Sequence, residues 1–155
     1  MKEITEYRMH LIERLVSRTA EFRDACLAVQ DPFAPLEQDG WNTHQVAAHS
    51  RDVNLAAYGM RARRTAQEDN PEFPNFDGDA YMKENYRADE PLKEMMDGFV
   101  NDVEGLAELL KSLSPEAWSR ESRHVTLGSG FTLQTWVERG LAHIEEHLKT
   151  VKGEN

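Results

Sequence analysis

Seven apolar residues, Leu92, Met96, Phe99, Val103, Leu106, Leu110 and Leu113, follow one another in steps of four and three. That spacing gathers side chains on one face of an α-helix and obliges the segment to bury that face in a bundle or at a dimer seam. Three further segments share the period. Ile4, Leu11, Leu15, Phe22, Cys26 and Val29 predict a first helix over residues 3–29, with Glu13, Arg14, Glu21 and Arg23 off the stripe. Val46, His49, Val53, Ala56 and Met60 predict a second helix, and Leu133, Val137, Leu141, Ile144 and Leu148 a last one over 133–151, with Trp136, Gly140, His143 and His147 alongside. The stretches between them read as breaks. "QDPFAPLEQDG" carries two prolines and a glycine, which interrupt a helix. In "WNTHQ" Asn42 can cap the next helix while Gln45 reaches back, as in a capping box. Residues 66–90 are rich in Pro, Asp and Asn, with one short helix possible in "DGDAYMKENYR". "RHVTLGSGFTL" predicts a small hairpin or extended loop, after which Thr132 offers an N-cap. Four amphipathic helices without a convincing set of strands predict an all-α four-helix bundle.

Size and charge narrow what such a bundle can do. A chain of 155 residues with 39% hydrophobic content supports a single domain over 1–155. Acidic residues outnumber basic ones by 28 to 18, for a net charge of −10; this opposes attraction to phosphate backbones and anionic membranes, so neither nucleic acid nor membrane is an expected partner. The single cysteine, Cys26, excludes an intramolecular disulfide and a multi-cysteine zinc site and fits a reducing cytoplasm. It lies in the core stripe of the first helix, which marks it as structural. No apolar run nears the roughly 20 residues needed to span a bilayer, and "MKEITEYRMHLIERL" is too charged for a signal peptide. The stripe at 92–113 exceeds what a thin four-helix core must bury, which predicts a homodimer.

The histidines carry the chemistry. His143 and His147 are four residues apart, hence about 40° apart around a helix and about 6 Å along it, so one ion can accept both imidazoles. His49 adds a third from a core-facing position on another helix. Three such ligands form one face of a coordination sphere and leave room for water or substrate; the alternative is three polar residues satisfied by hydrogen bonds or by a helix C-terminus. His44 points about 140° away from His49 and is expected at the surface, as are His10 and His124. Other metal motifs do not fit. A zincin needs H-E-x-x-H, whereas the helix reads H-I-E-E-H. A di-iron bundle needs E-x-x-H on two helices, and only Glu121 and His124 have that spacing.

The sequence resembles the DinB-like metal-dependent enzymes, which include thiol S-transferases and the N-terminal domain of mycothiol-dependent maleylpyruvate isomerase. "WNTHQVAAH" at 41–49, "FDGDAY" at 76–81 and "TLQTWVERGLAHIEEH" at 132–147 carry the resemblance. It implies an up-down-down-up four-helix bundle, often dimeric, with a divalent ion, nickel or zinc, on a triad that maps to His49, His143 and His147. It further implies that the ion activates either a low-molecular-weight thiol for transfer to an electrophilic small-molecule substrate or a water for hydrolysis. With Cys26 in the core, the thiol would come from a cosubstrate. Gly140 is expected to leave space beside the metal, with Trp136 and Tyr81 lining the pocket, although ordinary core packing is open for Trp136. Asp77 and Asp79 are candidates for acid/base or supporting roles, with helix capping equally open. The reading from a different class is a non-catalytic dimeric binding or stress-response module whose histidine site is structural or empty.

Overall fold

The computed structural model describes residues 1–36 and 40–154, so part of the first predicted loop, residues 37–39, lies outside the described residues. Helix α1 runs Lys2–Ala28 and buries Leu11, Ile12, Leu15, Phe22 and Cys26. Ile4, predicted on the same stripe, is exposed. The helix opposite, α5 (Leu92–Lys111), reaches only far enough to close a groove with Thr5, Met9 and Ile12. The second bundle helix begins with the predicted capping box: Asn42 Oδ1 accepts from Gln45 N at 2.8 Å, and Gln45 Oε1 accepts from Asn42 N at 2.9 Å. It consists of α2 (Thr43–Val53), a π-turn over Asn54–Tyr58 and α3 (Gly59–Gln67). In the linker α4 spans Gly78–Asn85, where a short helix was expected. The last helix, α6, runs Leu133–Lys152; Thr132 accepts from Thr135 N at its start, and Gly153 closes it in the left-handed conformation at φ 73°.

Pair contacts fix the directions. Tyr7, Arg14 and Glu21 of α1 meet Glu138, Glu145 and Lys152 of α6 in the same chain order, so these helices are parallel. Arg23 approaches Asp97 while Met9 and Ile12 face Leu110, so α1 and α5 are antiparallel. His49 meets His147 and Arg61 meets Trp136, so the second helix runs against α6. Asn54 bonds Asp102 and Arg63 lies by Gly105, so it runs alongside α5. The result is the up-down-down-up bundle.

Between α5 and α6, a 3₁₀ turn (Pro115–Ser119) precedes strands β2 (Glu121–His124) and β3 (Gly128–Thr132). They form the predicted hairpin, pairing Glu121 with Thr132 and His124 with Gly128. A two-residue strand from the linker, β1 (Glu72–Phe73), adds in parallel to β2. It is too short to show a period, and Phe73 anchors it edge-on against Trp136 at 5.9 Å.

The α5 stripe is used within the chain. Met96, Phe99, Val103, Leu106 and Leu110 are all buried, and Leu92 and Leu113 pack against the core from its edge. The seam on which a homodimer was predicted is therefore filled by the other helices. No helix among the described residues is long and apolar enough to cross a membrane.

Candidate metal centre

Antiparallel packing of α2 on α6 brings His49 to face His143 and His147. One ligand atom from each lies within 4.8 Å of the other two, and ring centroids are separated by 5.2, 5.0 and 4.4 Å. His143 Nε2 and His147 Nε2 are 3.1 Å apart. Two imidazole nitrogens about 2.1 Å from one ion, at angles between square and tetrahedral, stand roughly 3.0–3.4 Å apart, so the separation fits a shared ion. The protonation state fits as well. Burial, reinforced by the neighbouring His147 and His49, pushes His143 down to about 3. Its imidazole is then neutral at physiological pH and has a lone pair to give.

The site opens into a cleft of about 710 Å³. Trp41, Gln45 and His49 form one side, Asp79, Met82 and Lys83 of α4 another, and Tyr86 and His147 complete it. The seating of α4 depends on Gly78: a Cβ there would come within 3.0 Å of His49 Cε1. Sequence reasoning missed Trp41, Gln45, Met82, Lys83, Tyr86 and Gly78. The available signal was the glycine in "FDGD", one residue past the α4 cap.

Several candidate residues take other places. Trp136 is fully buried; its indole N–H donates to Ser122 Oγ at 2.7 Å and its ring stacks on Phe131 at 4.9 Å. It supports the small sheet and does not line the cleft, because its position on α6 faces β2 and β3. Gly140 opens space for Tyr58 and not for a ligand, since a Cβ at 140 would lie 3.2 Å from Tyr58 Cβ. That close approach sets the Tyr58 ring 5.6 Å from the His143 ring. Tyr81 packs on Phe76 at 5.5 Å and lines a separate polar pocket with Arg51, Asp52 and Glu90, because it projects from another side of α4 than Asp79 and Lys83. Asp77 is the α4 N-cap, accepting from Ala80 N at 3.1 Å, whereas Asp79 faces the cleft.

Two histidines expected in solvent are buried. His44 is 1% exposed: Nδ1 pairs with the Tyr86 hydroxyl and Nε2 with the Glu90 carbonyl, both at 2.7 Å, while Phe33 stacks on the ring. The side of α2 away from His49 is covered by the linker, and His44 ties that linker down. His124 points inward from β2, and its Nδ1 accepts the backbone N–H groups of Thr126 and Leu127 at 3.1 Å each. Burial, then the positive charges of Arg61 and Arg139, holds it below its ordinary value. His10 is exposed as expected, 3.5 Å from Glu13.

Cys26 is fully buried, and desolvation pushes its thiol up to about 12. We expect it to resist a disulfide reagent such as Ellman's in native protein and to react only after unfolding; rapid native labelling would contradict the placement.

The model of the DinB superfamily matches residues 12–151. Among solved structures the chain is similar to YfiT from Bacillus subtilis, described as a probable metal-dependent hydrolase with an unusual four-helix bundle topology. The identity is 20% and the TM-score 0.83, over 96% of this chain and 85% of that one. No curated protein matches the sequence. The family match spans the bundle from α1 to the last turn of α6 and includes all three clustered histidines, so this chain belongs to the DinB superfamily.

Proposed function

We propose that the chain is a metal-dependent hydrolase whose divalent ion, nickel or zinc, is held by His49, His143 and His147. The observation that carries this reading is the convergence of three imidazoles beside an open cleft, into which His49 and His147 face. Three protein ligands with a free position is the pattern of a catalytic site; a structural site is closed by a fourth ligand. The likeness in fold to a probable metal-dependent hydrolase supports it. A bound ion would supply a Lewis acid able to lower the pKa of water or of a thiol near neutral pH.

The protein's own groups divide the remaining work. Packing of Tyr58 against His143 and of Gly78 against His49 limits the freedom of two ligand rings. Trp41, edge-on to His49 at 5.1 Å, covers the site from the α2 side. Asp79 is the carboxylate that lines the cleft with His49 and His147, and we assign it the role of accepting a proton from the nucleophile. Transfer of a low-molecular-weight thiol is the second reading. It requires a cosubstrate, because the thiol of Cys26 is buried and held in its protonated form.

The test is a panel of ester and amide substrates offered to metal-loaded protein with and without added thiols. Hydrolysis that stops on chelation and returns with one equivalent of nickel or zinc is the expected result. Turnover that occurs only with a thiol would assign transfer instead. Protein that takes up no ion and turns nothing over would leave a binding module.

A further inference from the structure

The polar atoms around the cleft are unevenly divided between donors and acceptors. Gln45 commits its Oε1 to the Asn42 N–H in the capping box at 2.9 Å, which fixes the amide orientation and leaves its NH₂ to face the cleft as a donor. Lys83 lines the same cleft from α4, and among the described residues no carboxylate lies within ion-pair distance of its ammonium. Tyr86 is engaged by His44 at 2.7 Å and so is held in place. Asp79 is the one carboxylate among the lining residues, and the function proposed above gives it a proton to accept. The rest of the wall is apolar or aromatic: Trp41, Met82 and the Tyr86 ring.

We propose that this cleft takes a small organic anion, with an apolar and preferably aromatic body against Trp41, Met82 and Tyr86 and a carboxylate received by Lys83 and the Gln45 amide. The net charge of −10 opposes the approach of an anion from a distance, so its capture depends on local donors. A cation that stands unpaired in the cleft of such a chain offsets that repulsion where an anion has to enter. The proposal rests on the hydrolase reading in using the same cleft and in the role that reading leaves to Asp79; the subsite itself exists with or without an ion on the histidines.

Three probes of one shape separate the possibilities: 3-phenylpropanoate, its neutral amide 3-phenylpropanamide, and 3-phenylpropylammonium. Binding is read from tryptophan fluorescence, to which Trp41 gives the cleft signal because it lines the cleft and Trp118 and Trp136 do not; a Trp41→Phe variant supplies the blank. Each titration is run on metal-loaded protein, on metal-depleted protein and on Lys83→Met. The carboxylate is expected to bind about three- to five-fold more tightly than the amide, the range open to an exposed ion pair, in metal-depleted protein as well as loaded. The preference should shrink as salt rises from about 0.01 to 0.15 M and vanish in metal-depleted Lys83→Met. A preference seen only with metal present would place the anion on the ion and overturn the subsite. So would equal binding of all three probes, or a preference that survives in metal-depleted Lys83→Met. Metal content, measured on the same samples, tests the hydrolase reading separately.

Discussion

Protein carrying His143→Ala is expected to purify without its metal, while the parent, prepared without a histidine tag, holds close to one equivalent of nickel or zinc by mass spectrometry. Four-ligand zinc sites bind with about 10–16 kcal/mol, which is roughly 2.5–4 kcal/mol per ligand, so losing one ligand costs on the order of 10²–10³-fold in affinity. The fold should survive, because His143 is only partly buried on α6 and alanine is a strong helix former. His44→Ala is the contrasting variant. It strands the Tyr86 hydroxyl and the Glu90 carbonyl, so it should lower stability by about 1–3 kcal/mol and still retain the ion. Acid separates the two kinds of histidine again. His143 sits near 3 in the folded chain against an ordinary 6.5, so the fold favours its neutral form. That contribution is complete above about 6.5 and is lost as pH falls through the interval toward 3. Metal-free parent should therefore lose stability over this range, and His143→Ala should show a shallower loss in chemical denaturation. One equivalent of metal retained by His143→Ala would show that the triad is not the site.

The triad was legible because it depends on two periodicities that act within single helices. His143 and His147 share a face by spacing alone, and His49 fell inside a stripe bounded by Val46 and Val53, both of which are buried. What surrounds the triad was not legible, because it comes from distant segments. His44 lies off the stripe, as its spacing requires, yet Phe33 and the Tyr86 to Glu90 stretch cover it. Trp136 and Gly140 were placed beside the histidines correctly in sequence and wrongly in space, since a position on a helix does not reveal which partner it meets. The stripe of the second helix also slips. Ala56 and Met60 continue it in the sequence pattern but are only half-buried, whereas Ala57 and Arg61, one position further on, are buried, together with Asn54, Gly59, Ala62 and Thr65. The π-turn over Asn54–Tyr58 adds one residue to a turn, which moves every later core position by one, and no composition signal marks it.

That π-turn leads to the second large effect: Gly59→Ala should lower the melting temperature, whereas Gly98→Ala should raise it. In an ordinary exposed helix position, replacing glycine by alanine stabilises by up to about 1 kcal/mol. Gly98 meets those conditions, lying exposed in the middle of α5 with nothing within 4 Å of an added Cβ. Gly59 does not. Its N–H closes the π-turn onto the Asn54 carbonyl, and a Cβ there would stand 2.7 Å from that same oxygen and 3.1 Å from the Asn54 amide. Neither group is free to retreat. The carbonyl is held in the turn, and Asn54 Nδ2 donates to Asp102 Oδ2 at 2.9 Å, where Arg63 also binds. Relief requires breaking the turn or the tie to α5, so overpacking should outweigh the gain in helix propensity and leave a net loss of about 1–3 kcal/mol, or roughly 3–10 °C for a chain of this size. The consequence reaches the histidines, because Tyr58 is the next residue back and packs on His143. Gly59→Ala should thus bind its ion more weakly than the parent, while Gly98→Ala binds it equally well. A raised melting temperature in Gly59→Ala would mean that the helix runs through this point without the π-turn, and that Tyr58 reaches the site by some other route.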